Sequence, residues 1–166
     1  MMMTHDIEQL ALLLGQKLVA KNWTISCAES CTGGGIGYAI TAISGSSSWF
    51  KQGFITYSNE AKQQSLGVSA QTLNNFGAVS EQTVQEMALG AAKAANAQVT
   101  IAVSGIAGPD GGTPDKPVGT VWFGFYIDGQ VVAVTQLFKG GREQVRLKAI
   151  EFALARVLRL LDNTKA

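Results

Sequence analysis

Histidine is almost absent from this sequence, which has a single one, His5, close to its amino terminus. A Ser-His-Asp triad and a histidine metal site both require an imidazole held in the folded structure, whereas chain ends are prone to fraying. We therefore expect neither kind of site, and we expect no metal ion or other cofactor. A hydrolytic nucleophile would need another base. Lysine is the usual substitute, because burial can lower its pKa until it accepts a proton.

Cysteine is also scarce. Cys27 and Cys31 are the only two, and their spacing fits neither a disulfide framework nor a four-ligand zinc site. We expect both to be reduced thiols in a cytoplasmic protein. The first residues carry acidic side chains before their apolar run, which is unlike a secretory signal. No stretch approaches the roughly 18 uninterrupted apolar residues of a membrane span, so no membrane partner is expected.

Charged residues make up only 15% of the chain, against about 25% in a typical domain. The net charge of +1 argues against nucleic acid as a partner, because nucleic-acid-binding domains usually carry a basic patch. So low a charge content suggests that part of the surface is covered in a homo-oligomer, most simply a dimer. The length of 166 residues suits one domain whose core needs no disulfide or metal.

Apolar periodicity and turn-forming residues predict alternating helices and strands. The first half of the chain predicts a helix to about Lys21 capped by Thr4 or Asp6, a strand at WTISCA, a helix after glycines 33 to 35, a strand at GFITYS and a short helix at NEAKQQSLG. Ser69 and Ser80 are predicted helix N-caps, and Ser80 begins a helix to about Asn96. The rest of the chain predicts a strand at VTIAVSG, a hairpin from GTVWFGFYI to QVVAVTQLF through Asp128-Gly129, and a final helix over GREQVRLKAIEFALARVLRLL. We therefore predict a single three-layer α/β/α domain over residues 1–166. Its β-sheet is expected to be mixed because of the C-terminal hairpin.

Hydroxyl groups follow three of the predicted strands. Ser30 and Thr32 come after the first strand, Tyr57 ends the second and Ser104 ends the third. In open α/β sheets, ligands bind beyond the carboxyl ends of the strands, so these side chains can converge on one crevice. Lys62 lies one helical turn into the helix after Tyr57, a spacing that could return its ammonium group to the same crevice.

The segment AESCTGGGIG combines a carboxylate, two hydroxyls and a thiol with four glycines. Gly33 and Gly34 precede a helix whose first N–H groups could bind an anion. The segment matches neither a P-loop nor a complete dinucleotide fingerprint, so this signal is weak by itself. Gly105 begins a second glycine-rich segment, SGIAGPDGG, that offers further backbone donors.

Each candidate residue also has an ordinary structural interpretation. Ser30 could simply cap the second helix, Glu29 could be a solvated turn residue, and Cys31 could be an inert packing residue. Tyr57 could be a strand-end aromatic and Lys62 an exposed helix lysine. Their conjunction, rather than any one of them, favours a functional site.

The motifs AESCTGG, GSSSWFKQGFITYSNEAK, GAVS, SGIAGPDGG, KPVGTVWFGF and GGREQVR together resemble the CinA C-terminal-domain family. The resemblance is strongest to its stand-alone members, the nicotinamide mononucleotide amidohydrolases, and runs from about residue 6 to 160. It implies hydrolysis of the carboxamide of nicotinamide mononucleotide to nicotinate mononucleotide and ammonia, in recycling toward NAD. It also implies Ser30 as the nucleophile, Tyr57 and Lys62 as its activating pair, and Ser47 as a further active-site hydroxyl.

The expected substrate-binding residues are Thr32, Gly33, Gly34, Ser104, Gly105 and Arg142. Ser104 stands where many family members have threonine, a departure that keeps the hydroxyl. The 5′-phosphate of the substrate requires an anion site, and the glycine-led helix start and Arg142 are the candidates.

Two other classes of function stay open at the level of sequence. One is a non-catalytic nucleotide-binding module, and the other is a protein that acts in DNA uptake or repair. The presence of Ser30, Tyr57 and Lys62 together favours catalysis, because binding alone would not need a nucleophile with a base. The near-neutral charge counts against direct DNA binding.

Overall fold

The computed structural model describes residues 3–164 as helices alternating with the strands of one sheet. The helices are α1 (His5–Lys21), α2 (Gly35–Thr41), α3 (Asn59–Leu66), α4 (Ala70–Phe76), α5 (Glu81–Ala95) and α6 (Arg142–Asp162). The strands are β1 (Ile25–Glu29), β2 (Phe54–Ile55), β3 (Val99–Gly105), β4 (Thr120–Ile127) and β5 (Gln130–Leu137). Within this range, no helix is both long and apolar enough to cross a membrane.

The five strands form a mixed sheet in the order β2-β1-β3-β4-β5. Strands β2, β1 and β3 are parallel, while β4 and β5 form the antiparallel hairpin. Asp128 and Gly129 both have positive φ angles, 44° and 96°, as a two-residue type I′ hairpin turn requires. The prediction of a mixed sheet with a C-terminal hairpin is confirmed.

Helices cover both faces of the sheet, so the predicted three layers are confirmed. On one face, Ile101 and Phe123 belong to the core that packs against α1, α2 and α6. On the other face, Ala102 packs with Val84 and the other buried residues of α3, α4 and α5. Gly124 lets α5 approach closely, because a Cβ atom there would lie 2.3 Å from the carbonyl oxygen of Val84.

The predicted helix caps at Thr4, Ser69 and Ser80 are present, each accepting a hydrogen bond from a backbone N–H of the first turn. The second strand is shorter than the predicted GFITYS, because only two residues pair with β1. The reason is local. Ser58 already caps α3 by accepting from the N–H of Ala61, so the chain must leave the sheet before it.

Candidate active site

The carboxyl ends of β1 and β3 open into a cleft of about 290 Å³. Its lining includes Ser30 and Cys31 after β1, Tyr57 and Lys62 around the start of α3, Ser104 at the end of β3, and Arg142 at the start of α6. Strand order explains this convergence, since β1 lies between β2 and β3 and all three point the same way. The crevice expected beyond the strand ends is therefore present.

The centre of the cleft is a contact between Ser30 and Lys62. The Nζ atom of Lys62 lies 3.1 Å from the Oγ atom of Ser30 and donates to the carbonyl oxygen of Thr56 at 2.8 Å. Lys62 is only 1% exposed, which rules out the interpretation as an exposed helix lysine. Burial lowers the pKa of Lys62, and the neighbouring Cys31 opposes part of that change. A lysine with a lowered pKa, oriented by a carbonyl and touching a hydroxyl, can act as a general base.

Tyr57 contacts Arg142 at the rim of the cleft. The guanidinium of Arg142 donates to the phenol oxygen of Tyr57 at 3.0 Å and to the carbonyl oxygen of Gly108 at 2.8 Å. Tyr57 is 60% exposed, so it borders the opening. Among residues 3–164, Tyr57 makes no hydrogen bond to Ser30 or Lys62. Of the predicted activating pair, only Lys62 hydrogen-bonds Ser30, while Tyr57 accepts from Arg142.

Ser104 and Gly105 lie on the β3 side of the cleft, as the sequence predicted. Ser104 is buried, yet it lines the cleft. Gly105 lets the start of strand β4 approach closely, because a Cβ atom at this position would lie 2.9 Å from the carbonyl oxygen of Thr120. Both residues face the same opening as Ser30.

The glycine-led start of α2 does not serve as an open anion site, which corrects the sequence-based expectation. The carboxylate of Glu29 accepts from the backbone N–H groups of Ile36 at 2.8 Å and Gly37 at 3.0 Å. These first-turn donors are therefore already occupied by an anion of the chain itself. The residue at the cap position is Gly34, so the interpretation of Ser30 as the helix cap is also wrong.

Thr32, Gly33 and Gly34 do not line the cleft that contains Ser30. Thr32 is buried and donates its hydroxyl to Glu29 at 2.6 Å. A Cβ atom on Gly33 would lie 3.2 Å from Arg146, and one on Gly34 would lie 3.0 Å from Ile55. Gly33 and Gly34 make the turn between β1 and α2 possible, because both have positive φ angles, 58° and 100°.

Ser47 lies at the opposite end of the sheet, so the expectation that it joins the other site residues is not met within one chain. It is an exposed residue of a 3₁₀ turn, Ser46–Ser48. Two residues later, Phe50 pairs with Ile25, the first residue of β1. The buried Trp49 anchors the turn there, because it packs closely on Gly15 of α1.

Two contributions to the site were missed by sequence reasoning. The carbonyl of Thr56 orients Lys62, but a backbone group leaves no signal in the choice of side chain. Arg146 donates from Nε to the carbonyl oxygen of Cys31 at 3.1 Å and from a terminal nitrogen to that of Thr32 at 3.3 Å. Its position one helical turn after Arg142 was the available signal, because residues four apart share a helix face.

A buried lysine within hydrogen-bond distance of a serine, at the carboxyl edge of an α/β sheet, defines a serine–lysine site. The chain belongs to the family of the CinA C-terminal domain, whose family model matches residues 7–161. It is 58% identical over 154 residues to nicotinamide-nucleotide amidohydrolase PncC of Enterobacter agglomerans, covering 92% of this chain and 94% of the relative. It is 50% identical over 165 residues to the protein of that name in Escherichia coli strain K12, covering 98% of this chain and 100% of the relative.

The fold also matches a solved structure of the family. The crystal structure of the competence damage-inducible protein A (ComA) from Klebsiella pneumoniae subsp. pneumoniae MGH 78578 superposes with a TM-score of 0.93. The two chains are 40% identical, and the match covers 96% of this chain and 99% of the other.

Proposed function

We propose that this protein hydrolyses the carboxamide of nicotinamide mononucleotide to nicotinate mononucleotide and ammonia, in the recycling of pyridine nucleotides toward NAD. The observation that carries the proposal is the 3.1 Å contact between Ser30 and the buried Lys62. The names of two relatives that match nearly the whole chain support the choice of substrate. We regard residues 1–166 as one amidohydrolase domain.

In the proposed reaction, the neutral amine of Lys62 takes the proton of the Ser30 hydroxyl while the oxygen attacks the carboxamide carbon. The carbonyl of Thr56 then stabilises the ammonium that forms. Lys62 returns the proton to the amide nitrogen and the C–N bond breaks. Ammonia departs, and the acyl group remains on Ser30 as an ester. Lys62 then takes a proton from water as the water oxygen attacks the ester carbon. It gives that proton to the Oγ atom of Ser30 as the C–O bond breaks, which releases nicotinate mononucleotide and restores the serine.

The tetrahedral intermediates of both steps carry a negative oxygen that needs donors. We assign the backbone N–H of Cys31 as one of them, because Cys31 follows the nucleophile and lines the same cleft. A donor from the residue after the nucleophile is a recurring solution in α/β hydrolases. The thiol of Cys31 has no role in this scheme, because burial raises its pKa to about 12 and leaves it protonated at neutral pH.

Arg142 is the proposed phosphate ligand. Two of its nitrogens donate to Gly108 and Tyr57, and the residue is exposed and lines the cleft. A guanidinium held in this way is suited to a bidentate contact with phosphate oxygens. Ser104 and Gly105 would contact the nucleotide from the β3 side, and Tyr57 would act by orienting Arg142.

We further propose a cytoplasmic homodimer that does not bind nucleic acid. Two unpaired buried cysteines agree with a reducing compartment, and a net charge of +1 provides little attraction for nucleic acid. Large apolar side chains such as Tyr38 and Ile55 are exposed on this chain, which supports a covered surface in a dimer. Light scattering of the purified protein tests the oligomeric state.

The function is tested by incubating the purified protein with nicotinamide mononucleotide and measuring ammonia and nicotinate mononucleotide. We expect the two products in equal amounts, and we expect their release to survive exhaustive chelation. Ser30→Ala provides the control for a contaminating amidase. Absence of ammonia, or ammonia release that Ser30→Ala leaves unchanged, would contradict the proposal.

A further inference from the structure

Glu29 is a buried carboxylate that the proposed reaction does not use, although it immediately precedes the nucleophile. It is only 1% exposed, in contrast to the solvated turn residue that the sequence suggested. We propose that Glu29, together with Arg146, is a positioning residue that holds the nucleophile turn (residues 30–34) so that Ser30 meets Lys62. This inference rests on the proposed function for the identity of the nucleophile.

The Glu29 carboxylate links the middle of the nucleophile turn to the start of α2. Glu29 is the last residue of β1, yet it accepts from Thr32 within the turn and from Ile36 and Gly37 in the first turn of α2. Gly34 provides no side-chain cap for that helix, so Glu29 supplies the missing acceptor. The thiol of Cys27 also donates to it at 3.6 Å.

These contacts engage both oxygens of the carboxylate. Thr32 and Ile36 donate to one oxygen, while Gly37 and Cys27 donate to the other. A carboxylate with its acceptor positions filled by the chain has little capacity left for a metal ion or a substrate group. Its contacts therefore favour a role in fixing the backbone rather than in binding a ligand.

Arg146 holds the opposite side of the nucleophile turn. Its guanidinium donates to the carbonyl oxygens of Cys31 and Thr32, whereas that of Arg142, one helical turn earlier, faces Tyr57 and Gly108. The two arginines therefore have different tasks, although they share a helix. Arg146 orients the peptide groups next to the nucleophile, and Arg142 faces the cleft.

Both backbone polar groups of Ser30 are hydrogen-bonded. Its N–H donates to Val103 at 3.0 Å and its carbonyl accepts from Gly33 at 3.0 Å, while Glu29 and Arg146 hold the residues that follow. The position of the Ser30 hydroxyl relative to Lys62 thus depends on the nucleophile turn. A misplacement of about 1 Å at a reacting group can lower a rate on the order of 100-fold.

Glu29→Gln is the direct test, because it keeps the size of the side chain and places an amide NH₂ group against backbone donors. We expect kcat to fall about 10- to 100-fold, with KM for nicotinamide mononucleotide within about twofold, because the contacts of Arg142 are unchanged. Labelling of Ser30 by a fluorophosphonate, which forms an Oγ–P bond with loss of fluoride, should slow by a similar factor. Glu86→Gln is the matched control, since Glu86 also accepts a backbone N–H, from Ser69 at 2.9 Å, but lies outside the cleft.

Arg146→Met is the second variant, and it keeps the test decisive if Glu29→Gln fails to fold. It should lower kcat and the labelling rate without a preference between the mononucleotide and the riboside. The inference is overturned if the folded variants retain kcat and labelling rates within about twofold of the parent, whatever their stability. The labelling does not require the nucleotide. A parent that is labelled at Ser30 but releases no ammonia would therefore contradict the proposed function alone, and the labelling rates of the variants would still decide the inference.

Discussion

The Oγ atom of Ser30 and the Nζ atom of Lys62 lie 3.1 Å apart although the two residues are 32 positions apart in the sequence. The contact forms because the chain after β2 stays beside β1, where the N–H of Thr56 donates to the carbonyl of Glu29 at 2.8 Å. The first turn of α3 then returns Lys62 to the end of β1. One pairing between neighbouring parallel strands therefore determines which base reaches the nucleophile.

Ser30→Ala and Cys31→Ala should have opposite consequences. We expect Ser30→Ala to lower kcat by at least about three orders of magnitude, as loss of a nucleophile does in serine hydrolases. We expect Cys31→Ala to retain most of the turnover, because burial raises the pKa of the thiol to about 12 and no thiolate is available. Ammonia release from nicotinamide mononucleotide measures both. An inactive Cys31→Ala with an active Ser30→Ala would reverse the roles of the two residues.

Arg142→Met should affect the mononucleotide far more than the riboside. Loss of a charge-assisted contact costs about 1.5–3 kcal/mol, which corresponds to roughly tenfold to a hundredfold in affinity. Comparing kcat/KM for the two substrates isolates the phosphate. Arg146→Met removes the same charge from the same helix and should lower both values equally. If Arg142→Met also lowers both equally, the phosphate is bound elsewhere.

The buried amine of Lys62 should make the stability of the protein dependent on pH. Burial lowers the pKa of Lys62 in the folded state, whereas the unfolded chain has the ordinary value of about 10.4. Between those two values the unfolded state binds more protons, so the free energy of unfolding contributed by this group rises with pH. The contribution is least favourable below the folded-state pKa and improves as the pH approaches about 10.4.

Denaturant unfolding of the parent and of Lys62→Met, from about pH 6 to about pH 10, measures this effect. The free energy of unfolding of the parent minus that of the variant should increase with pH above the folded-state pKa of Lys62. Lys148→Met is the control, because Lys148 is an exposed lysine on α6 and its loss removes no buried amine. A difference for Lys62→Met that stays flat or decreases with pH would show that the lysine does not lose its proton more readily in the folded state.

The fold was largely predictable because its signals are local. Helix caps at Ser69 and Ser80 and the Asp128-Gly129 turn each depend on a few adjacent residues. Strand β2 was overestimated because Ser58, the last residue of the predicted strand, caps α3 instead. Strand β2 also lies at the edge of the sheet and pairs only with β1, so few of its residues are held by pairing.

The candidate site was predictable in its residue types but not in its distances. Ser30, Lys62, Ser104 and Arg142 meet as expected because strand polarity brings them to one edge. Ser47 does not join them, because the packing of the nearby Trp49 on α1 holds its turn at the other end of the sheet. That packing is a tertiary contact, which a local sequence pattern does not predict. Glu29 was misjudged for the same reason, because only the folded turn places helix donors around its carboxylate.

Lys62→Arg tests the role of Lys62 as the base most directly, when its initial rate of ammonia release from saturating nicotinamide mononucleotide is compared with those of the parent and of Lys62→Met. A guanidinium keeps the positive charge but cannot give up its proton. If Lys62 activates Ser30 as a base, Lys62→Arg should be nearly as inactive as Lys62→Met, at least about 100-fold below the parent. If Lys62→Arg instead retains a tenth or more of the parental rate, the lysine acts only as a positive charge, and Ser30 has no activating base.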